Sequence, residues 1–357
     1  MKNYTFIYLL LFSYFSVNAQ QLASTNPEKR KVILEEYTGI NCGFCPSGHQ
    51  IAEDIKNSNP DDVFIINIHA GFTSVPDPGQ PDFRTDYGWP LVDNADTNSF
   101  PSGSVNRFKP TNVNNYPGHG IGRFYWEDAA DDILALDSYV NVGVEAFINK
   151  NTRVLTINSE VYYTNDSPSN TNKLNIVLLQ DNTLGPQSGG GQGDNYNHRH
   201  RMVHMITGQW GENISSTRQG DLVTNSHTYT VPTDYKGVDV DLDELEIIVF
   251  VTEEDRNFVV SGNGTQVIES NLSTNTVEAS LFSITPNPTN NGIIQVTTDS
   301  LNDVSIEIYD LLGHKVLNEK TFAKNTTLNL SSLNSGLYMV KYQDQNNRIA
   351  SKKLIIK

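Results

Sequence analysis

The sequence predicts three consecutive parts: a mixed α/β segment, an all-β sandwich and a small C-terminal β-sandwich. Three observations carry this. Between residues 31 and 140 apolar strand runs alternate with helical periodicity, and from 141 to about 275 only strand-like runs remain. The end of the chain also differs in charge. Residues 280–357 hold 8 Lys/Arg against 6 Asp/Glu, net +2, whereas residues 1–279 hold 17 against 35, net −18. A boundary near 275–280 follows.

The chain opens MKNYTFIYLLLFSYFSVNAQQ. Lys2 is followed by an apolar run, Phe6 to Phe15, that falls short of the roughly 20 residues a spanning helix needs. Small residues stand at Val17-Asn18-Ala19, where signal peptidase cuts, so residues 1–19 are expected to be a signal peptide. No cysteine follows the cut, which argues against a lipid anchor there. No later segment reaches transmembrane length, so the mature chain is expected to lack a transmembrane segment. The total of 357 residues suggests two or three domains. The net charge of −16 argues against nucleic acid as a partner, because phosphate backbones demand a positive face.

The α/β segment is bounded at 20–140. KVILEEY (31–37) suits a strand. CPSGHQIAEDIKN (45–57) suits a helix, with Ile51 and Ile55 on one face, and VFIINIHA (63–70) reads as a buried strand. Residues 72–98 are rich in Pro and Asp without clear periodicity. SVNRF follows as a short strand, and Trp126 to Val140 as an acidic amphipathic helix. The second part, 141–275, shows runs such as VLTINSEVYY, KLNIVLLQD and ELEIIVFVT. It is expected to be an immunoglobulin-like sandwich. GPQSGGGQGDN (185–195) reads as a flexible loop without the ending of a phosphate loop. The tail, 280–357, is expected to hold six short strands.

The only cysteines are Cys42 and Cys45, in Asn41-Cys42-Gly43-Phe44-Cys45-Pro46. They follow a strand and open a helix, where the helix dipole and free N–H groups favour a thiolate. Cys42 is then the expected nucleophile and Cys45 the resolving thiol. A static disulfide closing a very short loop and a metal site using the two sulfurs are the alternatives. No cofactor is expected, and exported protein thiols or disulfides are the expected partners.

The order around the pair resembles the thioredoxin fold. Glu36, six residues before Cys42, matches the buried acid that helps deprotonate the resolving cysteine. Ser99-Phe100-Pro101-Ser102-Gly103 resembles the loop that carries the fold's cis-proline and aligns a bound chain. The resemblance thus implies catalytic roles for Cys42, Cys45, Glu36 and Pro101, and substrate contacts from Phe100 and Phe44. Asn41 and Phe44 depart from the thioredoxin pattern, which leaves redox direction open. The alternatives are an exposed Glu36 paired with Lys31 and an ordinary turn at Pro101. The tail is similar to the type A C-terminal sorting domain of the type IX secretion system of Bacteroidetes. The matching pieces are Pro286-Asn287-Pro288, Ile306 to Val316 with Asp310 and Gly313, Ser335-Gly336-Leu337-Tyr338 and the closing KKLIIK. That implies engagement of the type IX machinery through residues 280–357. EEYTGINCGFCPSGH, INIHAG, FPSGSVNR, Asn197-His198-Arg199-His200-Arg201 and Gly208-Gln209-Trp210-Gly211-Glu212 resemble the Bacteroidetes family of twenty-eight-kilodalton outer-membrane-protein-related proteins. It implies secretion followed by an outer-membrane or surface location, and no settled activity. A surface binding or adhesion protein with a merely structural disulfide is the alternative function.

Other clusters are weaker. His49 lies four residues after Cys45 and shares its helix face, as a thiol-tuning group or a plain helix histidine. His69 is expected to pack. His198, His200 and His204 suggest metal ligands, but Arg199 and Arg201 oppose a cation. Asp239, Asp241 and Asp243 suggest calcium or, more simply, a solvated strand edge. Asp77, Asp82, Asp86 and Asp93 either bind calcium or keep their loop soluble. No metal site is assigned.

Overall fold

Strand β1 (Val32–Thr38) is buried along its whole length, Glu35 and Glu36 included, as a strand covered on both faces is. After it come α1 (Cys45–Ser58), β2 (Val63–His69), α2 (Gly88–Ala95), β3 (Ser102–Val105), β4 (Ile121–Gly122) and α3 (Trp126–Leu134). Then follow β5 (Val140–Asn149), β6 (Val154–Tyr163), β7 (Asn172–Gln180), β8 (Thr183–Gly185), β9 (Tyr196–His198), β10 (Arg201–Met205), β11 (Glu212–Ile214) and β12 (Leu222–Thr230). The short β13 (Asp234–Tyr235) and β14 (Val238–Asp239) precede β15 (Leu245–Glu253), β16 (Val259–Gln266) and β17 (Ile268–Glu269). The structure, a computed structural model, describes residues 21–110, 113, 115–254, 257–270, 281–298, 304–310, 314–321, 324–344 and 349–357. The expected signal peptide and Gly313 lie outside the described residues.

Two compact units divide between residues 271 and 272. The first is mostly β with some helices. One nine-stranded sheet runs β16–β15–β7–β10–β2–β1–β3–β4, with β11 also on β7. This sheet crosses the expected boundary at 140/141. Strand β10 pairs parallel to β2 through Arg201 and Asn67, and the Asn67 N–H donates to His200 O at 2.8 Å. The apolar β2 would otherwise present an unpaired edge. Alternation assigns the faces. In β15, Ile247, Val249 and Val251 meet the four-stranded sheet β12–β6–β5–β17, while Ile248 and Phe250 face the α2 side. In β1, Val32 and Leu34 meet α1 and α3, while Ile33 and Tyr37 meet the α2 side.

Several elements differ from expectation for identifiable reasons. The helix expected to reach Val140 stops at Leu134. There the chain pairs with the incoming N-terminal segment: Arg30 N–H donates to Leu136 O, and Ser138 N–H to Glu28 O, both at 2.9 Å. The segment 72–98 contains α2, whose eight residues are too few to show a period. The acidic run at 239–243 is only partly a strand edge: the exposed Asp239 closes β14, and the chain then turns, where Asp241 Oδ1 accepts the Asp243 N–H and Asp243 pairs with Lys150.

The second unit holds β18 (Phe282–Thr285), β19 (Ile293–Thr298), β20 (Val304–Tyr309), β21 (Lys315–Thr321), β22 (Asn325–Asn329), β23 (Gly336–Asp344) and β24 (Ile349–Ile356). These form a three-stranded sheet, β18–β19–β22, and a four-stranded one, β21–β20–β23–β24. Alternate residues such as Ile306, Ile308, Val340 and Tyr342 build its own core. Asn287 of the Pro-Asn-Pro signature donates to Lys353 O at 2.6 Å and accepts the Ile355 N–H at 3.0 Å. Two of the separated signature pieces are thereby tied together.

Candidate functional site around the cysteine pair

Cys42 and Cys45 form a disulfide with Sγ–Sγ 2.08 Å, at the point where a turn runs into α1. Cys45 opens the helix and Pro46 follows it in the first turn, where a missing N–H costs no helical bond. Both sulfur residues are buried, Cys42 at 4% and Cys45 at 0% exposure, while Phe44 between them is 71% exposed. Two distant segments clamp this turn. Gln187 Nε2 donates to Cys42 O at 2.9 Å and to Gly39 O at 3.2 Å, and Ser188 N–H donates to Ile40 O at 2.7 Å. Gly189, at φ +79°, approaches so closely that a β-carbon there would stand 2.2 Å from Gly43 O. On the other side Asn41 N–H donates to Thr73 O and Asn41 Nδ2 to Val75 O, both at 2.8 Å.

Beneath α1, Gly48 permits a second close approach. A β-carbon at Gly48 would stand 2.7 Å from Glu36 Oε1 and 3.0 Å from Pro101 Cβ. The Phe100–Pro101 peptide is cis, and Phe100 meets the exposed Phe72 edge-on at 5.7 Å. Cys42, Cys45, Glu36, Phe100 and Pro101 therefore gather around the start of α1. Phe44 sits at the rim, 5.8 Å from the Arg123 guanidinium. Glu36 is fully buried, and neither carboxyl oxygen has a hydrogen-bond partner among the described residues. Burial, then the charge of Glu53, pushes its pKa well above the ordinary carboxylate value and so favours its protonated form. Lys31 pairs with Asp62 at 3.8 Å rather than with Glu36.

His49 lies in the same layer. Its Nε2 is 2.8 Å from Thr38 Oγ1 and 3.8 Å from Glu36 Oε1, and its Nδ1 is 2.6 Å from Tyr196 Oη. Burial, then His198, lowers its pKa to about 3, so it is a neutral imidazole. The other histidines separate. His198 Nδ1 is 3.3 Å from His69 Nε2, and its Nε2 is 3.2 Å from Pro186 O. His200 lies 2.7 Å from Glu246 and 3.2 Å from Glu53. Burial alone would lower its pKa, but Glu246 and Glu53 raise it to about 9. His204 stacks on Tyr229 with centroids 4.6 Å apart. The three histidines suggested as ligands thus face three different neighbourhoods. Among the described residues no group of three His, Cys, Asp or Glu is placed to hold a metal. The aspartates of 77–93 are also dispersed: Asp82 pairs with Arg84 and Asp86 with Lys236.

Sequence reasoning missed Tyr196, Gln187 and the docking of 187–190 on the cysteine turn. Its available signal was the run Gly189-Gly190-Gly191, all three at positive φ.

Residues 91–275, a little over half of the chain, match the family model described as outer membrane protein Omp28. Residues 283–357 match the secretion system C-terminal sorting domain. No curated protein matches. Among solved structures, HBP35 of Porphyromonas gingivalis is 18% identical, with 92% of this chain and 99% of that chain covered and a TM-score of 0.55. An Agrobacterium tumefaciens protein is 9% identical, with 68% and 95% covered and a TM-score of 0.42. A domain of the outer membrane lipoprotein Omp28 from Porphyromonas gingivalis is 13% identical, with 37% and 90% covered and a TM-score of 0.27. Of the three, the first carries a fold likeness.

Proposed function

This chain belongs to the Omp28 outer membrane protein family and is an exported protein of the outer membrane or cell surface, and on that premise we propose that it is a thiol–disulfide oxidoreductase working through Cys42 and Cys45 on exported proteins. In this reading residues 20–140 are a thioredoxin-like domain, 141–275 its immunoglobulin-like partner, and 280–357 the tail that engages the type IX secretion machinery. The observation that carries it is Glu36. A fully buried carboxyl under the first turn of the CxxC helix, with no hydrogen-bond partner among the described residues, costs stability. It has the position of a proton store for the resolving thiol. Cys42 attacks a client disulfide. Glu36, once ionised, takes the proton of Cys45, whose thiolate displaces the client. Pro101 and Phe100 align the client chain, and the exposed Phe44 meets it.

One observation favours a second reading. Both cysteines are buried, and Gln187 and Ser188 are bonded to the backbone of their turn, as suits a structural disulfide in a surface binding protein. Titration of the full chain in glutathione buffers separates the two, with Cys42→Ser and Cys45→Ser as controls. The oxidoreductase reading expects a potential in the range of exchange catalysts and a reactive wild type. A potential below about −300 mV with no exchange sinks it.

A further inference from the structure

We propose that His49 and Tyr196 form a proton path between Glu36 and solvent that serves resolution of the mixed disulfide. This rests on the oxidoreductase reading and deepens it, since neither residue belongs to the CxxC turn or the Pro101 loop.

The geometry is a chain of three groups from three elements. Glu36 on β1 is fully buried, with no hydrogen-bond partner for either oxygen among the described residues. The nearest imidazole nitrogen, His49 Nε2 on α1, is 3.8 Å from Glu36 Oε1. A side-chain shift of about 1 Å brings that within transfer distance. The far side of the ring, Nδ1, is 2.6 Å from Tyr196 Oη on β9. His49 and Tyr196 both line a surface cavity of about 220 Å³, with Pro46, Glu53, Asn67 and Arg199. Both tautomers of His49 are satisfied. With the proton on Nδ1, the ring donates to Tyr196 and accepts from the Thr38 hydroxyl, 2.8 Å from Nε2. With the proton on Nε2, both bonds reverse. A neutral ring with two reversible partners passes a proton without gaining charge. The charged and titratable groups facing it are Glu36 from β1, Glu53 from α1 itself, Tyr196 and His198 from β9, and His69 at the end of β2. Glu53 is held by Arg199 at 2.9 Å and His200 at 3.2 Å, which leaves it an ionised bystander.

The path has a defined task. In the reduced chain Glu36 holds a proton that must leave before it can accept another. Glu36 passes it to His49 Nε2 while Nδ1–H passes to Tyr196 Oη, which releases its own proton to water in the cavity. Glu36 carboxylate then takes the proton of Cys45. The Cys45 thiolate attacks Cys42 Sγ, and the electron pair of the Cys42–client bond leaves with the client sulfur as a thiolate that solvent protonates. The two cysteines lose two electrons, and the client disulfide, now a pair of thiols, gains them.

The test uses the reduced full chain and oxidised glutathione, following the Cys42–glutathione mixed disulfide by mass. General acid–base groups contribute about 10²–10⁴-fold, so Glu36→Gln should prolong this intermediate by at least about 10²-fold. Tyr196→Phe and His49→Asn should prolong it about 10-fold near neutral pH, a fraction of the Glu36 effect because they act through it. Their deficit should shrink as pH rises toward the ionisation of Glu36, because no proton then has to leave. Adding Tyr196→Phe to Glu36→Gln should cost nothing further. Wild-type lifetimes in both Tyr196→Phe and His49→Asn, a deficit equal at every pH, or losses that multiply in the double variant would overturn the path and leave the oxidoreductase reading standing. A wild-type chain that forms no mixed disulfide overturns both.

Discussion

Glu35 and Glu36 are neighbours on one strand with opposite fates. Strand alternation sends Glu35 to the face where Arg107 waits, buried, at 2.7 and 2.9 Å from its two oxygens. Glu36 goes to the α1 face and finds no partner. The sequence shows that the two point apart and that Glu36 stands six residues before Cys42. It does not show that Arg107 takes one and leaves the other, because that choice depends on a turn some 70 residues away. A buried polar group without a partner costs about 1–3 kcal/mol, and an apolar replacement recovers it. Glu36→Leu should therefore raise unfolding stability by about 1–3 kcal/mol while slowing disulfide resolution. Folding raises the Glu36 pKa above its ordinary value of 4.5. The favourable contribution of its bound proton is fully present below pH 4.5 and is lost as pH rises through the folded value. The advantage of Leu should accordingly be larger at pH 7 than at pH 4, as urea unfolding at the two pH values would measure. An equal or reversed difference would mean that Glu36 is ionised and paired in solution.

At the scale of elements, the segment 187–190 shows what local pattern leaves out. A run of glycines reads as a flexible loop, and nothing within ten residues contradicts that. Its docking is set by Gln187 reaching Cys42 O across 145 positions and by Gly189 closing on Gly43. Strand β1, helix α1 and strand β2 were legible because their own apolar spacing determines them. Helix α2 and the continuity of the sheet through β10 were not, because short elements and edge pairing depend on distant partners. The segment is docked on the turn that carries a disulfide an incoming thiol must reach in line, so its departure is expected to ease access. Gly189→Ala strains a residue at φ +79° and places a β-carbon against Gly43 O. The left-handed conformation alone costs about 1–2 kcal/mol. That cost falls on the docked state, so Gly189→Ala should open the cover and speed reduction of Cys42–Cys45 by dithiothreitol. An unchanged or slower reduction, with the melting temperature near wild type, would show that the segment does not limit access.

At the scale of the whole molecule, charge and packing divide the chain at nearly the same place. The net −16 combines an acidic body of −18 with a tail of +2, and the compact units part between residues 271 and 272. Each unit has its own apolar core: Ile247, Val249 and their neighbours in the first, Ile306, Val340 and Leu354 in the second. A unit that carries its own core keeps its fold when the other is removed. The tail is thus a detachable address. Its signature residues are held by the tail itself, through the bonds of Asn287 to the Lys353 and Ile355 backbone. Deleting residues 283–357 should leave the thermal transition of the first unit and its Cys42–Cys45 exchange unchanged, while the protein stays in the periplasm. Asn287→Ala removes both backbone bonds at once, at about 1 kcal/mol each, and should lower surface delivery without touching exchange by the purified chain. Protease treatment of intact cells measures delivery, and glutathione exchange measures the site. Continued surface exposure of the 283–357 deletion would place the sorting signal in the first unit, and loss of exchange on deletion would make the tail part of the chemistry.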